Sequence, residues 1–290
     1  MSSVESFLVG GRGPLGQDRV CIALSPQGNR RKHASRELED AMEKLWDDKL
    51  AAQPHLFNGA KFRLASSALT STGLQMTWGL TSYKEYISTC SRPEIVATLR
   101  RDGGENPRQH LSMKVGVAAA LVTSDKHVVF LQRSNAVGAY PNMADVPGGH
   151  PEPEKVGLHC ESDYELSDEL NARCVAELFD SITAEVEEET NVPRSALSPP
   201  LLLGVTLQGS AETPSYAFLI ECALSVADVQ ERYVDAQDQY ESTRLMFVPV
   251  AALSTNTLEL TPSAAGCLQL LAELYMKQQN QNQISRIKTS

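Results

Sequence analysis

Ala184-Glu185-Val186-Glu187-Glu188-Glu189-Thr190-Asn191-Val192 crowds its glutamates into a segment whose apolar spacing is that of a helix. At that spacing Glu185, Glu188 and Glu189 stand at i, i+3 and i+4, so their carboxylates share one face, while Glu187 points elsewhere. Carboxylates this close repel one another unless a cation sits among them. Hard oxygen donors with room for water suit magnesium, and manganese as a substitute. A glutamate run is also the ordinary composition of a solvated helix face. Against that plainer origin, Leu178, Ile182, Val186 and Val192 give the same helix an apolar stripe, so it packs on something beside its acidic edge.

Upstream, Val146-Pro147-Gly148-Gly149-His150-Pro151-Glu152-Pro153 reads as a strand end running into a Gly-Gly turn, with prolines stiffening the exit. Adjacent glycines permit positive φ and close approach of backbone to a ligand. Any Gly-Gly can make a tight turn, but the turn and the acidic helix in this order are far more specific than either alone. The combination resembles the Nudix family, whose box reads G-x5-E-x7-R-E-U-x-E-E-x-G-U, with U aliphatic. Gly149 opens the box, and Glu185, Val186, Glu188, Glu189 and Val192 match its second half residue for residue. The departures are equally specific. Extra residues separate Gly149 from the helix, the box arginine is Ala184, and counting back from there lands on Ala176, with Glu177 one residue later. The box glycine is Asn191, the mildest change, because asparagine tolerates the left-handed conformation at a helix end. A standard pattern search is expected to miss this chain.

Outward from the box, residues 111–279 read as one unit. Val115–Thr123 and His127–Arg133 are apolar runs joined by a short polar turn, which suggests a hairpin. Residues 134–149 form a loop, 152–167 is polar and irregular, and a helix is predicted from about Ser167 to Thr190. Strands at Leu201–Leu207, Tyr216–Leu224 and Arg244–Val250 and an amphipathic helix over Pro262–Gln278 complete the unit. Residues 1–110 read as a small α+β domain. It has strands at Val20–Leu24, Lys61–Leu69 and Leu74–Leu80, a helix over Ser35–Ala52 capped by Ser35, and two short helical segments near 82–89 and 92–101. Asp102–Arg108 (DGGENPR) carries the linker signal and sets the boundary. The glutamine-rich residues 280–290 read as a disordered tail. The class is α/β, and the resemblance implies a Nudix α/β/α sandwich with a mixed sheet behind the N-terminal domain.

Composition narrows the partners. The 290 residues carry a net charge of −10, which argues against a general nucleic-acid surface, since counterion release needs a basic footprint. An acidic protein handling a negative substrate must screen it locally, with metal or a few arginines. No stretch approaches the roughly 18 apolar residues of a membrane span, and no secretory signal opens the chain. The six cysteines are scattered without C-x-x-C spacing, as expected for reduced thiols in the cytoplasm, with nuclear entry left open.

KFRL at 61–64, GLTSY at 79–83, DVPGGHPEP at 145–153 and PLLLG at 200–204 look like the animal Nudix hydrolases that cleave UDP-glucose and UDP-galactose. The resemblance covers nearly the whole chain. It implies a small-molecule nucleotide sugar as partner and conversion of UDP-hexose to UMP and hexose 1-phosphate. Glu185 and Glu189 are then the direct metal ligands and Glu188 a third ligand or the general base, all three catalytic. Arg133 ends a strand near the glycines, where a guanidinium grips a phosphate or forms a surface ion pair. Asp145, His150 and Glu152 border the glycines within reach of sugar hydroxyls. Phe57 and Tyr83 offer flat faces for uracil, and Ser263 begins the last helix, whose free amides favour an anion. Two other readings stay open: a Nudix hydrolase of ADP-ribose, coenzyme A or a capped RNA end, and a catalytically inactive nucleotide-sugar sensor.

Overall fold

The computed structural model describes residues 2–8, 13–135, 140–159, 164–234 and 242–288, with side chains through 281. The first part of the chain gives β1 (Ser3–Ser6), β2 (Val20–Leu24), α1 (Arg36–Ala52), β3 (Ala60–Leu69), β4 (Leu74–Ser82), α2 (Tyr83–Ser88) and α3 (Pro93–Asp102). Next come β5 (Gly116–Val122), β6 (His127–Arg133), β7 (Ala144–Asp145), β8 (Gly148–Gly149) and α4 (Asp168–Thr190). The chain then forms β9 (Leu201–Gln208), β10 (Thr213–Glu221), α5 (Val226–Tyr233), β11 (Ser242–Pro249) and α6 (Pro262–Lys288).

Among the described residues two sheets form. The larger runs β1-β9-β10-β5-β6-β11, with β7 on β6 and β8 on β5, and the smaller runs β2-β4-β3. In the larger sheet β5 and β10 are parallel and the other pairs antiparallel, so it is mixed as expected. β5 is buried at every position because successive side chains serve opposite faces. Val117, Ala119 and Leu121 join the core that holds α4, and Ala118, Ala120 and Val122 join the core that holds α6. Phe179 of α4 meets Phe218 of β10 edge to face at 5.2 Å, while Leu268, Leu271 and Leu274 of α6 close the opposite face. Helix, sheet and helix therefore stack as the α/β/α sandwich.

The N-terminal part is not set apart from this core. α4 also packs on β2, Leu24 N–H donates to Asn171 Oδ1 at 2.8 Å, and one apolar cluster runs from the small sheet through α4 to the large one. β1 pairs with β9, so residues 3–6 belong to the larger sheet although they precede the boundary at 110.

The strand pair β5 and β6 departs from a plain hairpin. The two pair at Val122 and Val128 and then part. Residues 144–149 fill the opening, with β7 on β6 and β8 on β5, and Ala119 N–H donates to Pro147 O at 2.8 Å. Gly148 and Gly149 are thus a short extended strand rather than the expected turn. The glycines serve close approach and not positive φ, since a Cβ on Gly148 would stand 2.5 Å from Val117 O. The last helix continues to Lys288, so the expected disorder from 280 gives way to helix through that residue. Residues 160–163, within the stretch expected to be irregular, lie outside the described residues. So do 136–139 of the expected loop and 289–290 of the expected tail.

Candidate active site

The extended glycines lie against the acidic half of α4. A Cβ on Gly149 would stand 1.7 Å from Glu185 Oε1, so only glycine leaves room for that carboxylate. Gly148 N–H donates to Glu189 Oε2 at 2.9 Å, and the backbone N–H of His150 donates to Glu185. Two glutamates one helical turn apart are therefore fastened to one short strand. Glu187 points away and meets Arg194 at 3.1 Å. Asn191 ends the helix at φ 55°, where its N–H bonds Glu187 O at 2.8 Å, the left-handed position that the box fills with glycine.

Charge at the site is unbalanced. Burial and then repulsion from Glu188 push the Glu185 carboxyl up to about 7. Glu177 is 5% exposed and accepts from Glu152 N–H at 2.8 Å, and burial raises its pKa as well. The box arginine is absent at Ala184, but Lys155 stands nearby, 3.5 Å from Glu152, and its charge acts on Glu177 and Glu188 too. Lys155 comes from the short 3-10 turn Pro153–Val156 in the extra residues, so no motif signals it.

Among the described residues no trio of acidic, histidine or cysteine side chains is already gathered tightly enough to enclose a cation. The donors fit one nonetheless. They are hard carboxylate oxygens on one helix face, beside a cradle that any Cβ would fill, and Glu185 carries a repulsion that a cation would relieve.

A cavity of about 170 Å³ opens beside the glycines, between the parted strands and the start of α6. Of the residues expected to touch substrate, Arg133, Asp145, His150 and Ser263 line it. Arg133 Nη1 lies 3.2 Å from Asp145 Oδ2, and Thr261 Oγ1 donates to Asp145 Oδ1 at 2.6 Å. Thr261 Oγ1 also accepts from Ala264 N–H, which ties this carboxylate to the first turn of α6. Burial raises the Asp145 pKa, with the Thr261 bond and Arg133 opposing. Ser263 Oγ lies 3.0 Å from Ser215 Oγ. His150 is held well below its usual pKa by burial and by Lys114 and Lys61, so its imidazole is neutral.

Glu152 is not part of that lining and stands with Lys155. Phe57 and Tyr83 do not line it either: Phe57 is 78% exposed, and Tyr83 sets its ring edge to face with Trp46 at 6.3 Å. The wall includes Tyr86 and Lys114, which sequence reasoning did not single out. A lone lysine before an apolar run carries no spacing signal, and Tyr86 reads as one aromatic on a short helix.

A mixed sheet whose central strands part around a glycine strand, with a glutamate-bearing helix laid against them, is the arrangement of a Nudix hydrolase, and this chain belongs to that family. It is 37% identical over 274 residues to the uridine diphosphate glucose pyrophosphatase NUDT22 of Bos taurus, covering 89% of this chain and 92% of that protein. The Homo sapiens protein of the same name is 36% identical over 274 residues, covering 89% and 88%. Nudix hydrolase 9 of Arabidopsis thaliana is 32% identical over 288 residues, covering 95% and 92%. No family model matches the chain, in keeping with its altered box. Among solved structures, a MutT protein from Methanosarcina mazei Go1 aligns at 15% identity with a TM-score of 0.34, covering 57% of this chain and 94% of that one. The protein is an enzyme of the hydrolase class, and dependence on a divalent metal is general in the family.

Proposed function

We propose that this protein hydrolyses the diphosphate of UDP-glucose and UDP-galactose, releasing UMP and hexose 1-phosphate. The observation that carries the reading is similarity along nearly the whole chain, N-terminal part included, to relatives named for uridine diphosphate glucose pyrophosphatase. Magnesium is the proposed cation, held by Glu185 and Glu189 with Glu188 beside them. When bound, a divalent cation neutralises the diphosphate oxygens and makes a water easier to deprotonate.

The chain's own groups divide the remaining work. Glu188, beside the two ligands on the same helix face, serves as a third ligand or as the general base. Gly148 and His150 orient the carboxylates through their backbone N–H groups. Neutral His150 offers a hydrogen bond to a sugar hydroxyl without adding charge. Asp145, itself fixed by Thr261, holds Arg133 at the wall, where its guanidinium meets a phosphate oxygen.

The test is a panel of nucleoside diphosphate derivatives incubated with protein and magnesium, with products separated by chromatography. UDP-glucose and UDP-galactose should be cleaved far faster than ADP-ribose or GDP-mannose. ADP-ribose as the best substrate would overturn the substrate assignment, and tight binding without turnover under any divalent metal would make the protein a sensor.

A further inference from the structure

Lys114 stands two residues before the start of β5 and is only 8% exposed. A lysine so deeply buried ordinarily has a carboxylate beside it. Among the described residues this ammonium has neither a carboxylate nor a hydrogen bond, and its recorded contact is the ring of Tyr86, 4.0 Å from Nζ to the centroid. Two other buried cations among the described residues have partners. Arg30 holds Glu39 at 2.6 Å and Glu85 at 3.3 Å, and Arg63 donates to the carbonyls of Gly28, Arg108 and Leu111.

The Lys114 side chain lines the same cavity as Gly148, Gly149, His150, Arg133 and Ser263. Arg133 reaches the same cavity but shares its charge with Asp145, at 3.2 Å. The net charge of −10 means that a negative substrate must find its positive charge locally. We propose that Lys114, resting on the face of Tyr86, is a substrate-binding residue that receives a phosphate of the nucleotide sugar; this deepens the function proposed above and rests on it.

A phosphate fits this place better than a carboxylate of the protein would. A permanent partner would quench the charge before substrate arrived, whereas a ring face supports a cation weakly and leaves its other side open. Burial, with repulsion from Lys61, lowers the Lys114 pKa to about 7, and an arriving anion draws the amine back to the ammonium form. Tyr86 belongs to α2, so the N-terminal part contributes to the cavity through this pair.

The experiment titrates UMP, AMP and uridine into metal-free wild type and Lys114→Met, with calorimetry reading affinity. Methionine keeps the length and removes the charge. UMP binding should weaken about ten- to hundredfold, as for loss of a charged hydrogen bond, while uridine binding is unchanged. The melting temperature of Lys114→Met should match that of wild type, because the ammonium holds no carboxylate or hydrogen bond that the fold would lose. Lys114→Arg should recover part of the UMP affinity. Equal UMP affinity in wild type and Lys114→Met would overturn the proposal. So would parallel loss of UMP and uridine with a lowered melting temperature, which marks a structural lysine.

A second measurement uses wild type alone and does not depend on any variant folding. The lysine side-chain carbon resonances followed by NMR against pH should show the Lys114 pKa rising when UMP is added, and no rise would overturn the assignment. If AMP binds as well as UMP, both depend on Lys114 and UDP-glucose is not cleaved, the anion contact stands while the UDP-sugar reading falls.

Discussion

Glu187 and Glu189 sit two positions apart on α4 and meet different surroundings. Glu189 accepts from Gly148 N–H at 2.9 Å, inside the site, and Glu187 pairs with half-exposed Arg194. Glu189→Gln keeps an acceptor for Gly148 and removes only the charge. At saturating magnesium its turnover should fall about 100-fold or more, beyond the loss seen when outer partners of a metal are changed. Metal-free stability should hold or rise slightly, because like charges at helical spacing repel by about 0.2–0.5 kcal/mol. Glu187→Gln removes an exposed ion pair worth about 1 kcal/mol at most and should remain active. Equal turnover in wild type and Glu189→Gln would refute the acidic-helix mechanism. This split between neighbouring glutamates is legible in the sequence, because helical geometry alone sends position 187 away from 185, 188 and 189. Lys114 is not legible, since its surroundings are set by Tyr86 of α2 and by β3, whose Arg63 bridges to it, both from distant parts of the chain.

At the scale of elements, the site depends on how closely β8 can lie against α4. A Cβ on Gly149 would occupy the place of the Glu185 carboxylate, at 1.7 Å from Oε1. Gly149→Ala should therefore leave the fold intact, because the displaced group is the end of a flexible side chain, yet move Glu185 off its post. Misplacing a catalytic group by about 1 Å costs on the order of 100-fold, so kcat should fall by roughly that factor while the circular dichroism spectrum is unchanged. Full activity in Gly149→Ala would show that Glu185 works from another position. Long elements such as β5 and α4 announce themselves through apolar spacing, and the sequence places both within about two residues. β7 and β8 have two residues each, too few for any period to register. The parting of β5 from β6 is a tertiary event, decided by which segment fills the gap, and local pattern favours the plain hairpin instead.

For the whole molecule, the turn-forming sequence at 102–108 joins two parts that share one core. Val20, Ile22 and Leu24 of β2 share one core with Leu178, Ile182 and Val186 of α4. Arg100 and Arg108 both reach Glu212, in the turn between β9 and β10, at 3.0 and 2.7 Å. Glycine, proline and charge in a short stretch signal a loop whether or not the flanking parts share a core, which is why a linker reading was reasonable and the packing was hidden. A shared core predicts one cooperative transition. The chain supplies a convenient reporter, because its two tryptophans, Trp46 and Trp78, both lie in the N-terminal part. Tryptophan fluorescence follows that part, while far-ultraviolet circular dichroism follows helices and strands throughout. The urea midpoints of the two signals should coincide, and a fragment spanning 111–290 should aggregate, because it exposes the apolar side of α4 that β2 covers. Separate midpoints, with the fragment soluble and folded, would show instead that the two parts are stable alone and that their common core forms by docking.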